Sequence, residues 1–236
     1  MPVTSATHPR QHTSGKHPDQ SSIATTSAQK LVMFDVGETL ISETAIWHRI
    51  ARHLNLPSFT VSAAAGIALA RNCGFAAILK QLGDFSAIPG EPWRGPDLLS
   101  FTIDDLYDDA LPALSDLHKH GHKVGICGNQ PASSEQVLQA LPCHIDWLSS
   151  SARLKCKKPD PAFFNAIIEQ TGHDPADIIY IGDRLDNDIY PALQHGMDAI
   201  WLLRGPWAFA QWQQSGIPDG IRTIRSLAEL PALLTK

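Results

Sequence analysis

The chain has 236 residues, of which 43% are hydrophobic and 18% charged, with a formal net charge of −5. That balance suits a globular domain with an insertion, excludes an unfolded polyelectrolyte, and leaves no basic footprint for nucleic acid. No apolar run nears the roughly 20 residues of a membrane span and the N-terminus has no apolar signal core, so a cytoplasmic protein with no membrane partner is expected.

Residues 1–29 are rich in Ser, Thr, Pro, Gln and His and read as a disordered tail, because they cannot bury enough surface to offset chain entropy. His8, His12 and His17 read there as solvated side chains. "LVMFDV" (31–36) is an apolar run with β-branched and aromatic members, which predicts a strand buried on both faces. From Glu43 the period turns helical. Trp47, Ile50, Ala51 and Leu54 fall at i, i+3, i+4, i+7, as do Phe75, Ile78, Leu79 and Leu82, and Ala63 to Arg71 is Ala-rich. "AIPGEPWRGP" (87–96) reads as loop from its Pro and Gly content. Residues 43–105 therefore read as a helical insertion between two pieces of one core, 30–42 and 106–236.

From Asp109 strand and helix alternate. Asp109 is a candidate cap for a helix faced by Leu111, Leu114 and Leu117 and stopped by Gly121. "HKVGICG" (122–128) predicts a strand, "EQVLQAL" a helix and "HIDWLSS" a strand. "DPAFFNAIIEQTG" carries an Asp cap and a Pro at its start and Gly172 at its end. "DIIYIGD" (177–183) and "DAIWLLR" (198–204) predict strands around the helix "DIYPALQHG", and "IRTIRSLAELPALL" a last strand and short helix. The fold class expected is α/β, a doubly wound parallel sheet with an inserted helical cap domain. The four cysteines lack CxxC spacing and read as reduced thiols.

Sites in such sheets gather at the carboxyl ends of the strands. Asp35, Gly128-Asn129 and Gly182-Asp183 each end an apolar run, so all three should meet in one crevice. Asp35 could act as a nucleophile, hold a cation, or cap the following turn. Asp183, Asp186 and Asp188 in "GDRLDND" offer the oxygen ligands that Mg²⁺ takes, although Asp186 also fits as an acid at a helix start. Lys158 in "KKPDP" could neutralise a phosphate, while Lys157 reads as solvated. "HKHGH" (118–122) spans a helix end, a glycine stop and a strand start, so its histidines should point apart. Arg204 reads as a surface or interdomain residue, and Trp93 and Arg94 as either substrate contacts or loop packing.

The order Asp on the first strand, Gly-Asn, Lys-Pro, then Gly-Asp-x₄-Asp, within residues 31–207, resembles the haloacid dehalogenase-like hydrolases, in particular their phosphatase-like branch with a helical cap. The resemblance implies that Asp35 is the nucleophile and forms an aspartyl-phosphate. It implies Mg²⁺ on Asp35, the Gly37 carbonyl, Asp183 and Asp188, with Asp188 alternatively orienting Lys158. It makes Lys158, Gly128 and Asn129 the phosphate-binding set, and a small phosphorylated metabolite the substrate of a monomer or homodimer.

Two positions depart from that pattern. Gly37 stands where the family's phosphatases carry a second Asp, the acid–base residue, and Gly128 stands where a Ser or Thr usually holds a phosphoryl oxygen. Acid–base assistance is worth about 10²–10⁴ in rate. Glu38, Glu43 or no residue could replace it; Glu38 is adjacent, but neighbours in an extended chain point to opposite sides. A phosphatase that is slow or restricted to good leaving groups is the leading expectation. Gly37→Asp should then raise turnover of alkyl phosphates, unless another group already supplies the proton. The alternatives are a haloacid dehalogenase, a phosphonatase-type hydrolase, for which Lys80 is the one lysine of the cap, or a catalytically weak binding domain.

Overall fold

A computed structural model of the protein describes residues 29–71, 73–83 and 100–234. The tail before Gln29, the loop 87–96 and its Trp93 and Arg94 lie outside the described residues. Six strands form one parallel sheet in the order β3-β2-β1-β4-β5-β6. They are β1 Leu31–Phe34, β2 Lys123–Gly128, β3 Trp147–Ser150, β4 Ile178–Gly182, β5 Asp198–Leu202 and β6 Arg222–Ile224. All six occur where the apolar runs predict them.

The central strand β1 is buried throughout because it is covered on both faces. Val32 and Phe34 face a cluster with Leu114, Leu117 and Ile126. Leu31 and Met33 face the opposite one, with Phe163, Phe164, Tyr180 and Trp201. This period-two division makes the sheet a rigid mount. Phe34 pairs with Ile126 on one side and Ile181 on the other, so the next residue, Asp35, leaves the sheet between two neighbouring strand ends.

The segment after β1 carries α1 Thr44–His53, α2 Ser58–Ala70 and α3 Phe75–Leu82. Trp47, Ile50 and Ala51 of α1 pack with Val61, Ala65 and Leu69 of α2 and with Ile78 and Leu79 of α3; spacing predicts α1 and α3, and Ala content the later part of α2. The remaining helices are α4 Ala110–Lys119, α5 Ser133–Gln139, α6 Ser151–Leu154, α7 Pro161–Thr171, α8 Tyr190–Gln194, α9 Gly205–Ser215 and α10 Leu230–Leu234. Among the described residues no helix is long and apolar enough to cross a membrane.

Three local expectations need correction. The sequence reading contains no α9, yet its Trp207 and Ala210 join the α1–α3 cluster and so tie that segment to the end of β5. Its signals are Pro206 in the first turn and Gly216 at the stop; its sequence shows no long apolar stripe. The stretch "DIYPALQHG" is entered through a π-helical turn, Leu185–Ile189, and α8 itself is only five residues long. Asp109 stands at the N-cap of α4 but makes no side-chain cap bond. Its Oδ2 instead accepts from Arg204, from Ser226 Oγ at 2.7 Å and from the Leu227 N–H at 3.0 Å.

The histidines of "HKHGH" do point apart. His120 meets the Asp116 carbonyl at 2.7 Å, and the His122 Nδ1 accepts the Lys30 N–H at 3.3 Å. His118 leaves them altogether and lies in an exposed group with His144 and Asp146. The four cysteines are free.

Candidate active site

β1 brings Asp35 to the crevice, where its own N–H continues the ladder by donating to the Ile181 carbonyl at 2.9 Å. Lys158 comes from the turn before α7, and its Nζ donates to Asp35 Oδ1 and to Asp188 Oδ1, each at 2.5 Å. Lys158 is 2% exposed and Asp188 0%, so the ion pairs are held away from water. Burial alone would lower the lysine pKa, but the Asp188 and Asp35 carboxylates raise it well above its usual value. The ammonium is therefore a fixed charge of the site.

Asn129 secures that lysine. Its Oδ1 accepts the Lys158 N–H at 2.8 Å and its Nδ2 donates to the Lys158 carbonyl at 3.0 Å. The side chain expected to meet phosphate is thus engaged by the lysine main chain, and it positions Lys158. Asp160 caps α7 through the Ala162 N–H at 2.9 Å, which holds the other end of the same turn.

Oxygens of Asp35, Asp183 and Asp188 lie within 4.8 Å of one another. Asp188 Oδ2 accepts the Arg184 N–H at 3.0 Å, whereas Asp183 Oδ2 is buried with no hydrogen-bond partner among the described residues. Burial, then Asp188 and Asp35, push the Asp183 pKa well above the usual carboxylate range. One ammonium does not balance three clustered carboxylates, and an unpartnered buried oxygen is costly. A hard divalent cation answers both, and an acceptor-only oxygen set fits Mg²⁺. Gly37 is compatible with a carbonyl ligand. The local bridge runs from the Glu38 N–H to the Ile41 carbonyl (2.7 Å) and from the Ile41 N–H to the Val36 carbonyl (3.0 Å), bypassing the Gly37 oxygen.

Asp186 does not join the other two acids of its motif. It pairs with Arg184 at 2.6 Å and accepts from Gln211 of α9 at 2.6 Å, while the Arg184 guanidinium sits 3.9 Å from the centre of the Trp207 ring. It belongs to the surface between the π-helical turn and α9.

The glycines have steric causes. A Cβ at Gly128 would stand 2.6 Å from Asp35 Oδ1, so a Ser or Thr there would push into the carboxylate. A Cβ at Gly182 would stand 2.4–2.6 Å from three atoms of Asp188, so this glycine admits Asp188 over the strand end. A Cβ at Gly37 would stand 2.4 Å from Glu43 Oε1.

Glu43 therefore faces the gap at position 37. It stands at the N-cap of α1 without capping it through its side chain. Burial first, then Glu38 and Asp35, raise its pKa from the ordinary 4.5 to about 8. Glu38 adopts φ 51° and is not extended, which removes the assumption used to set its direction. Its Oε1 accepts the Glu43 N–H at 2.8 Å and its Oε2 accepts the Tyr107 hydroxyl at 2.5 Å. Arg204 covers the Tyr107 ring at 4.1 Å and donates to the Thr39 carbonyl at 3.1 Å, so it is a partly buried brace and not a free surface residue. Beyond Glu38 a cavity of about 220 Å³ opens between α1, α2 and the start of α9, lined by Trp47, His48, Ser62, Leu69 and Pro206 among others.

Sequence reasoning missed Tyr107, Arg204 and Gln211 as parts of this region. Tyr107 lies 69 positions from Glu38 and Gln211 25 from Asp186, and no local pattern announces either contact.

The family model described as haloacid dehalogenase-like hydrolase matches residues 29–196. A glyceraldehyde 3-phosphate phosphatase from Pyrococcus furiosus is 31% identical over 128 residues, 53% of this chain and 51% of that protein. The N-acylneuraminate-9-phosphatase of Homo sapiens is 25% identical over 145 residues, 60% and 56% of the two chains. The chain thus spans about half the length of these curated relatives. Among solved structures, a HAD phosphatase from Thermococcus onnurineus superposes with a TM-score of 0.55 at 22% identity, covering 87% of this chain and 98% of that one. The L-2-haloacid dehalogenase from Xanthobacter autotrophicus gives 0.63 at 18%, with the same coverage. At these identities the structural likeness establishes the fold.

Proposed function

The chain belongs to the haloacid dehalogenase-like hydrolase family, and from that premise we propose that it is a Mg²⁺-dependent phosphatase of a small phosphorylated metabolite, with Asp35 as nucleophile. The observation that carries this reading is the buried Asp35–Lys158–Asp188 contact beside an Asp183 oxygen that has no partner. A metal-free dehalogenase site would leave the buried Asp183 oxygen without a partner, whereas a divalent cation answers it.

In this reading an Asp35 oxygen attacks phosphorus, the bond to the leaving oxygen breaks, and water later cleaves the Asp35–phosphorus bond to restore the carboxylate. Lys158, held by Asn129, stabilises the phosphoryl oxygens, and Gly128 leaves room for Asp35. Asp35, the Gly37 carbonyl, Asp183 and Asp188 would hold Mg²⁺, which would screen Asp35 from the anionic substrate when bound. Residues 43–105 act as the cap, and the cavity beyond Glu38 takes the organic part of the ester. The phosphatase names of the curated relatives support a phosphate ester over a carbon–halogen bond. The substrate is soluble and small, and the protein works in the cytoplasm.

The test is hydrolysis of para-nitrophenyl phosphate and acetyl phosphate with and without Mg²⁺. Turnover should require Mg²⁺, and Asp35→Asn should lower kcat by on the order of 10⁴ or more. A folded protein that binds Mg²⁺ and turns over neither compound would sink the reading. Metal-independent chloride release from 2-chloropropionate would replace it with dehalogenation.

A further inference from the structure

Glycine at position 37 looks like the loss of an acid–base group, but the space it leaves is filled. Glu43 Oε1 lies 2.4 Å from where a Cβ of residue 37 would be. That is also the distance at which an aspartate's own carboxylate oxygen stands from its Cβ, about 2.4 Å from standard bond lengths and angles. A carboxyl oxygen therefore occupies the shell that an aspartate side chain at this position would fill, and it comes from a residue six positions later. Resting on the phosphatase reading above, we propose that Glu43 is the catalytic acid and base of this enzyme.

Three features put the carboxyl there. Glu43 occupies the N-cap of α1 but spends no side-chain oxygen on the cap, so its carboxyl is not tied to its own helix. Glu38 accepts the Glu43 N–H at 2.8 Å, and Tyr107 holds the other Glu38 oxygen. Both Glu38 oxygens are thus engaged, which makes Glu38 a positioning residue and leaves Glu43 as the carboxyl that faces position 37. A side chain at position 37 would displace this carboxyl from where it stands.

The step balances without an outside reactant. Asp35 Oδ forms a bond to phosphorus as the ester P–O bond breaks, and the departing alkoxide takes the Glu43 carboxyl proton to leave as the alcohol. Glu43, now a carboxylate, takes a proton from water as the water oxygen bonds to phosphorus. The P–Oδ bond breaks, returning Asp35 as carboxylate, Glu43 as acid and inorganic phosphate as product.

Leaving-group dependence tests this. Glu43→Gln keeps the shape and removes the proton. It should lower kcat for glycerol phosphate about 10²–10³-fold and for para-nitrophenyl phosphate less than about tenfold, since nitrophenolate leaves unaided. The double variant Gly37→Asp/Glu43→Ala, which puts an acid back from the other residue, should recover glycerol phosphate turnover relative to Glu43→Ala. Equal losses on both esters in Glu43→Gln, or no recovery in a folded double variant, would overturn the assignment. Wild-type protein inactive on both esters would remove the phosphatase reading and the assignment with it, whereas active wild type with an indifferent Glu43→Gln removes the assignment alone.

Discussion

The two acidic groups around Asp35 are built in different ways. Asp183 and Asp188 stand at and just beyond the end of β4, and Lys158 reaches them from the base of α7. Their positions follow from a sheet whose central strand is buried on both faces. Glu38 and Glu43 stand on the loop leaving β1 and at the first turn of α1, braced in series by Tyr107, Glu38 and the Glu43 main chain. In the first group Lys158, Asp35 and Asp188 form a closed network, and Asp183 stands beside it with an oxygen that has no partner among the described residues. The second is a chain of contacts running into the inserted segment, so its geometry depends on how that segment sits. The ammonium and carboxylates of the crevice are fixed by the sheet, and the proposed proton donor, Glu43, stands at the first turn of the inserted segment.

The largest effect should come from breaking the closed network. Lys158→Met removes the one ammonium and leaves Asp35 and Asp188 facing each other without a countercharge. Losing one partner of a buried ion pair costs about 3–5 kcal/mol, which urea unfolding without Mg²⁺ would read. Activity should fall about 10²–10³-fold as the phosphoryl oxygens lose a donor. A variant as stable and active as the wild type would mean that the network is not held by its lysine, and the contrast with the Glu38–Glu43 group would disappear.

The chain of contacts should respond more gently. Tyr107→Phe deletes the hydroxyl that holds Glu38, a loss of about 1 kcal/mol or roughly fivefold in rate. The decrease should appear with glycerol phosphate and not with para-nitrophenyl phosphate, because only the acid is disturbed. An equal decrease with both esters would show that Tyr107 supports the crevice as a whole and that the two groups are one.

The same contrast explains which parts of the molecule were legible in the sequence. The strands were, because "LVMFDV", "HKVGICG" and "DIIYIGD" are short apolar runs whose ends carry the polar residues. A parallel sheet brings such ends together whatever the details. Asp35, Lys158, Asp183 and Asp188 follow from that rule plus the resemblance. Glu43 was visible only as one of three alternatives, beside Glu38 and no residue at all, because no local pattern shows that its carboxyl returns to the gap at Gly37 or that the backbone at Glu38 is left-handed, at φ 51°. Gly37 and Gly128 read as losses in the sequence, whereas each makes room for a carboxylate that enters from elsewhere in the chain. α9 stayed unseen because its buried contacts come from Trp207, Ala208 and Ala210 without a long apolar stripe.

Asp186 supplies the smallest effect and the finest separation. In the sequence it is one of three acids within six residues, set apart from Asp183 and Asp188 only by the Gly-Asp-x₄-Asp resemblance and by its fit to a helix start. In the structure it faces outward to Arg184 and Gln211, and it is a half-exposed partner in a surface ion pair. Such pairs contribute about 0–1 kcal/mol, so Asp186→Asn should change stability by less than that and kcat by no more than about twofold. Mg²⁺ should raise the melting temperature of wild type and Asp186→Asn alike, because a ligand stabilises the state that binds it. Asp183→Asn should lose that rise, since it removes the carboxylate whose buried oxygen has no partner. If Asp186→Asn abolished the Mg²⁺ response while Asp183→Asn kept it, the cation would sit on the outer face of the π-helical turn. The crevice at Asp35 would then be an ion-paired core without a metal.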